Sequence, residues 1–225
     1  MPTSYGRVST FDPLTLNGLI AWWSPRFGVV APNGGQLVSW TDIVSGKVIT
    51  GTTANGTLTY RSSGINGRPA FFGVTAAGQP VGTGPTLSIS QPNTTYVVMS
   101  DTASTFIGAD GLSARQILGS PGGVNSAPGM FAGASINSTF NVSGPNVYCG
   151  SFNGTASAQY INSSAVPAVT GSAGANALGQ VVLGTGTAGG QGFIGDLLYF
   201  SGLHGPAERC AVMGWLSSLY SVQGG

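Results

Sequence analysis

The chain has 225 residues, of which only 6% are Asp, Glu, Lys or Arg, and a formal net charge of +1, against about 25% charged residues in soluble domains generally. That balance offers no basic field for phosphates and excludes a nucleic-acid partner, and no stretch reaches the ~18 apolar residues of a membrane span. With 38 glycines, each costing about 1 kcal/mol inside a helix relative to Ala, long helices are excluded from most of the chain.

Residues 1–12 lack periodicity and carry Pro2 and Gly6, which reads as an arm outside a single domain spanning 13–225. The opening MPTSYGRVSTF has no apolar core of a secretory signal, so a soluble protein not exported by the usual route is expected. Tyr5, Arg7 and Phe11 are the arm's candidate assembly anchors.

From Gly18 onward, short apolar or alternating runs are broken by Gly, Pro, Asn and Ser, the pattern of many strands joined by turns. Strands are predicted at Leu19–Trp23, Gln36–Trp40, Lys47–Thr50, Leu58–Tyr60, Ala70–Phe72, Leu87–Ile89, Thr94–Ser100, Gln116–Gly119, Ala158–Ile161, Val181–Leu183 and Phe193–Phe200. The Gly/Ala/Thr-rich stretch from Gly171 to Gly192 reads as loops around one strand. One helix is predicted, from Gly205-Pro206-Ala207-Glu208 to about Tyr220. Pro206 and Glu208 suit a first turn, Val212, Trp215, Leu216 and Leu219 recur at helical spacing, and Gly224-Gly225 is the expected stop. Such a helix would lie on the sandwich as a lid. Adjacent Trp22 and Trp23 must face opposite sides of their strand, so one enters the core between the sheets while the other packs under a loop or the helix.

Cys149 and Cys210 have no CxxC or CxxH neighbour of the kind a zinc site needs. Two buried small side chains are favoured over a disulfide. Six Asn-x-Ser/Thr sequons, at Asn55, Asn93, Asn137, Asn141, Asn153 and Asn162, read as turn chemistry in an Asn/Ser/Thr-rich chain.

Taken in order, Gly18-Leu19-Ile20-Ala21-Trp22-Trp23, Gln36-Leu37-Val38-Ser39-Trp40-Thr41-Asp42, Ser63-Gly64-Ile65-Asn66-Gly67-Arg68-Pro69-Ala70-Phe71-Phe72-Gly73, Ile194-Gly195-Asp196-Leu197-Leu198-Tyr199-Phe200 and the closing helix make a recognisable series. It resembles the concanavalin A-like lectin/glucanase domains of the laminin-G-like type, found in bacterial surface proteins and bacteriophage structural proteins. The resemblance implies an all-β, two-sheet antiparallel jelly-roll sandwich with one C-terminal helix, and it leaves function open.

The chemistry-bearing residues are few. A glycoside hydrolase needs two carboxylates flanking the scissile bond. The chain has only Asp12, Asp42, Asp101, Asp110, Asp196 and Glu208, no two within three residues of each other. His204 is the only histidine, and no Gly-x-Ser-x-Gly elbow precedes a helix. No enzyme is therefore expected, and no cofactor; Asp42 or Asp110 could give calcium one ligand, which is too little for a site, so no metal is assigned. Trp22, Trp40, Tyr148 and Tyr160 are candidate platforms for a surface glycan. Low charge and few reactive groups suit a subunit whose neighbours hide its surface. The expectation is a non-enzymatic bacteriophage virion protein, a capsid decoration or cement protein made in the host cytoplasm. Its partners would be the major capsid or another virion protein and further copies of itself. The alternative is a carbohydrate-binding adhesion module of a tail or bacterial surface.

Overall fold

The computed structural model describes residues 11–52, 56–75, 80–103, 107–111, 114–119, 127–139, 143–162, 165–184 and 191–223. The anchors Tyr5 and Arg7 lie outside them. In chain order the described strands are β1 (Leu19–Trp23), β2 (Val29–Val30), β3 (Ser39–Thr41), β4 (Val48–Gly51), β5 (Gly56–Ile65), β6 (Arg68–Thr75), β7 (Gly82–Ile89), β8 (Asn93–Ala103) and β9 (Ile107–Gly111). They continue with β10 (Ala114–Gly119), β11 (Gly129–Phe131), β12 (Ser135–Asn137), β13 (Gly144–Phe152), β14 (Ser157–Ile161), β15 (Val169–Gly171), β16 (Leu178–Leu183) and β17 (Gln191–Ser201), before the helix α1 (Pro206–Tyr220).

The strands form two antiparallel sheets, as expected. The first runs β15-β14-β13-β8-β17-β6-β5, with β1 also paired to β17; the second runs β12-β11-β10-β9-β16-β7-β4-β3-β2. Two apolar layers result. Trp23, Trp40, Phe71, Val97, Tyr148, Leu183 and Tyr199 fill the space between the sheets, while Trp22, Tyr96, Val147, Cys149, Leu198 and Phe200 meet Val212, Trp215, Leu216 and Tyr220 of α1. The first sheet is thus buried on both faces, which is why Tyr96–Met99 of β8 and Leu197–Phe200 of β17 are unbroken apolar runs.

β1 shows how the pattern sets the layers. Alternation sends Trp23 between the sheets, where its Nε1 donates to the Trp40 carbonyl at 3.1 Å, and Trp22 under the helix, edge-on to Trp215 with ring centroids 5.6 Å apart. The segment expected as one strand at Gln36–Trp40 is a corner between sheets instead. Gln36 bridges Thr59, Leu37 donates to Leu58, and only Ser39–Thr41 pairs with β4.

The helix begins where expected, with the Glu208 side chain accepting from Gly205 N at 2.7 Å. It ends at Tyr220, as expected. Ser221 turns left-handed at φ 51, and Asn66, in the two-residue Asn66-Gly67 turn between β5 and β6, donates through Nδ2 to the Tyr220 and Ser221 carbonyls. The cysteines are free, but only Cys149 is buried; Cys210 is exposed on α1, a correction to the expectation that both are interior.

The layers are tied by one acid. A register shift between Ile194 and Leu197 of β17 lets Asp196 point toward the helix. Fully buried, it accepts from Trp22 Nε1 at 2.7 Å and Tyr220 OH at 2.6 Å, and pairs with Arg26 at 3.3 Å. Gly195 makes room: a Cβ there would sit 2.8 Å from the Tyr220 ring. Replacing Asp196 with Ala should lower stability by about 3 kcal/mol, since it orphans buried donors. Urea unfolding followed by tryptophan fluorescence should show a lower midpoint with an unchanged slope.

Candidate functional site

The aromatic residues expected as platforms are in the wrong places for that role. Trp40 and Tyr148 lie between the sheets at 0% and 1% exposure, and Trp22 and Tyr160 lie under α1 at 7% and 9%. The physical reason is twofold: sheet-on-sheet packing encloses Trp40 and Tyr148, and the helix layer closes the first sheet's outer face over Trp22 and Tyr160. Tyr160 is covered by the Arg209 guanidinium, 4.1 Å from its ring centroid. Among the described residues Phe27 is the one aromatic ring that is largely exposed, at 53%. Phe11 packs on its own domain, edge-on to Trp215 at 6.2 Å.

The acids whose side chains are described are all engaged. Asp12 caps a short helical turn by accepting from Leu14 N. Asp42 is a bracket for the loop between β3 and β4: its carboxylate accepts from the backbone N–H groups of Trp22, Val44 and Ser45 and from the Ser45 hydroxyl. Among the described residues no group of three His, Cys, Asp or Glu side chains could hold a metal ion.

A ligand-sized recess lies instead between the start of β1, the end of β17 and the turn joining β7 to β8. This groove measures about 430 Å³ and is lined by Ile20, Leu87, Ser88, Ile89, Ser90, Gln91, Pro92, Ser201 and Gly202. That size falls within the range of small-molecule sites. Its walls combine apolar surface from Ile20, Leu87, Ile89 and Pro92 with the hydroxyls of Ser88, Ser90 and Ser201, and none of its lining residues is ionisable.

The walls at Gln91–Pro92 and Ser201–Gly202 are held from behind. Gln91 donates through Nε2 to the carbonyls of Gly174 and Asn176 and accepts at Oε1 from Gly154 N at 2.6 Å, fixing the turn to distant loops. Gly202 N donates to the Pro92 carbonyl, and Ser201 N to that of Gly18. Thr94 Oγ1 donates to the Gly202 carbonyl at 2.9 Å and accepts from His204 N at 3.1 Å. The recess is therefore preformed, which reduces the ordering cost of binding. Nothing in the motif reading pointed to it; the only sequence signal was Gln91-Pro92, an X-Pro pair straight after a predicted strand.

His204 anchors the wall at Ser201–Gly202. Its Nδ1 lies 2.7 Å from the Tyr96 hydroxyl, its ring packs on Phe200 with centroids 4.2 Å apart, and its carbonyl accepts from Arg209 Nη1. Its Nε2 is buried with no partner. Burial lowers the imidazole's pKa; Glu208 opposes this and the Arg209 cation adds to it. Beneath it, burial raises the Tyr96 hydroxyl far above its ordinary range, helped by Cys149, and pushes the Cys149 thiol up to about 12. Both stay neutral, so His204 is the titrating member of the stack.

The sign of the resulting pH dependence follows. The unfolded chain takes up a proton on His204 near the ordinary imidazole value of about 6.5, whereas the folded chain resists until lower pH, so stability falls as pH drops below about 6.5. Melting temperatures followed by circular dichroism from about pH 8 to pH 5 should show this decline, and His204→Gln should flatten it.

No protein-family model and no curated protein matches the sequence. Solved structures do. The chain is similar to domain 4 of an extracellular GH43 arabinanase from Geobacillus stearothermophilus, in complex with arabinotriose, at 19% identity and TM-score 0.60 over 87% of this chain and 98% of that one. It is similar to an arabinofuranosidase complexed with arabinofuranosyl-α-1,2-xylobiose at 12% identity and TM-score 0.59, covering 82% of this chain and 51% of that one. A sialidase from Trypanosoma rangeli follows at 12% identity and TM-score 0.51, covering 90% and 33%. The chain thus spans about half of the arabinofuranosidase and a third of the sialidase. At these identities the likeness establishes a shared β-sandwich fold. The expectation that the chain is not an enzyme is corrected by it: the fold's neighbours are glycoside hydrolases, in one case a single domain of one. None of these three neighbours is described as a phage protein.

Proposed function

We propose that this chain is a carbohydrate-binding β-sandwich that takes a neutral oligosaccharide in the groove between β1, β17 and the β7–β8 turn. The observation that carries the reading is the groove's lining: serine hydroxyls beside apolar walls, without one ionisable side chain. Sugars present that same alternation of hydroxyls and C–H faces, and a preformed uncharged recess matches them without desolvating a charge. Support comes from the arabinanase domain, nearly all of which this chain covers and which was seen in complex with arabinotriose. The lectin-like jelly-roll family suggested by the sequence is the finer form of the same reading. A phage particle as the place where it works is a further proposal, supported by the low charge content alone.

Isothermal titration with arabinotriose should give saturable binding. Ser90→Trp, which fills the recess from an exposed position, should weaken it roughly tenfold or more, about 1.4 kcal/mol, with an unchanged melting temperature. Equal affinity in that variant would remove the groove from the reading. Failure to bind arabinotriose or any other neutral oligosaccharide at millimolar concentration would remove the reading itself.

A further inference from the structure

Side chains do not fill the space between the sheets everywhere. A small cavity lies between β8 and β17 of the first sheet and β10 and β16 of the second, with Thr95, Gln116 and Tyr199 on its wall beside Val97, Leu118 and Leu178. It offers about 10 Å³ to the centre of a water molecule, which is room for one. Thr95 and Gln116 are both buried, and among the described residues Thr95 Oγ1 and Gln116 Oε1 have no hydrogen-bond partner. Alternation along β8 fixes the direction of Thr95: Val97 and Met99 belong to the layer between the sheets, whereas Tyr96 and Val98 belong to the layer under α1. Gln116 is fixed too. Its Nε2 donates to the Asn176 carbonyl at 2.7 Å, so exchanging the two ends of the amide would set oxygen against oxygen there and cannot relieve Oε1. Buried polar atoms in native interiors are almost always met, by protein or by ordered water, because leaving one unmet is costly.

We propose that this cavity is a binding site for one ordered water molecule, which joins Thr95 of the first sheet to Gln116 of the second. The water donates to Gln116 Oε1 and meets the Thr95 hydroxyl, itself both donor and acceptor, while Tyr199 supplies the third polar side chain of the wall. Size and charge select this ligand. Nothing larger than water fits, and the wall carries no Asp, Glu, Lys, Arg or His, so a bare cation would find neither a countercharge nor the several oxygens it needs. The site lies one layer behind the groove. Leu178 of its wall is paired with Ile89, and the Asn176 carbonyl that holds Gln116 also accepts from Gln91 Nε2 at 2.8 Å. Ile89 and Gln91 both line the groove, so the water steadies an amide that shares an anchor with the groove's own wall. Its presence between the sheets does not depend on what the groove binds.

A high-resolution crystal structure of the full chain tests it. The wild type should show a solvent peak at hydrogen-bond distance, about 3 Å, from both Thr95 Oγ1 and Gln116 Oε1. Thr95→Val, which keeps the shape of the side chain and removes the hydroxyl, should lose that peak, and Thr95→Ser should keep it. In solution, oxygen-17 relaxation dispersion counts waters held for longer than the protein tumbles, and it should find fewer of them in Thr95→Val than in the wild type or Thr95→Ser. A wild-type cavity without solvent density overturns the proposal, as does a direct hydrogen bond between Thr95 and Gln116; both are read from the wild type alone, whether or not Thr95→Val folds. An unchanged count of long-lived waters in a folded Thr95→Val, shown folded by circular dichroism, is equally fatal.

Discussion

The Asp196 carboxylate has no exposed surface, yet it receives the Trp22 indole N–H, the Tyr220 hydroxyl and the Arg26 guanidinium at once. These donors come from β1, the end of α1 and the turn after β1, and the acid itself from the register shift in β17. Removing water from a carboxylate is costly, and only a full set of donors offsets it. The three elements must therefore arrive together. Arg26 extends the arrangement, its guanidinium lying 5.8 Å from the Trp215 ring centroid and 5.2 Å from that of Phe27. A loose helix layer would strand the acid, so the helix is part of the fold and not an appendage.

That constraint reaches the groove. With α1 fixed, His204 is trapped between Phe200, Tyr96 and Arg209, and through Thr94 it holds the wall at Gly202. The opposite wall belongs to β1, whose far end carries Trp22. Rigidity at the recess is thus inherited from burial elsewhere, and exposed serines can occupy set positions without being packed themselves.

The sequence carried the strands whose apolar pattern was set by burial. Leu19–Trp23 was read to the residue, and Thr94–Ser100 and Phe193–Phe200 lie inside β8 and β17. It hid β13, which holds Tyr148 and Cys149, because Gly144-Pro145 and Gly150 imitate turn punctuation. Gly150 is in fact a close approach: a Cβ there would meet Leu118 at 2.9 Å. The split of Trp22 and Trp23 between layers was legible from alternation. For Trp22 and Tyr160 the platform assignment failed for the same reason the helix was legible, since a helix that covers the first sheet also covers its outer rings, whereas Trp40 and Tyr148 are enclosed between the sheets. The groove was illegible because its residues come from three distant segments, and serine beside leucine has no periodic signature.

The low charge content looks different once the charges are located. Every acid whose side chain is described works within the fold: Asp12 and Glu208 on helix starts, Asp42 on a loop backbone, Asp196 between layers. Lys47 donates to Ser45, Arg26 serves Asp196, and Arg209 bonds the His204 carbonyl while covering Tyr160. Charge is thus retained here largely where backbone or buried groups need a partner. Five strands of the outer sheet and the whole lining of the groove are left without any. A surface built this way cannot attract by long-range fields and offers little to discriminate between charged ligands. What it offers at short range is shape, hydroxyl geometry and apolar contact, the features on which the proposed binding of a neutral sugar rests.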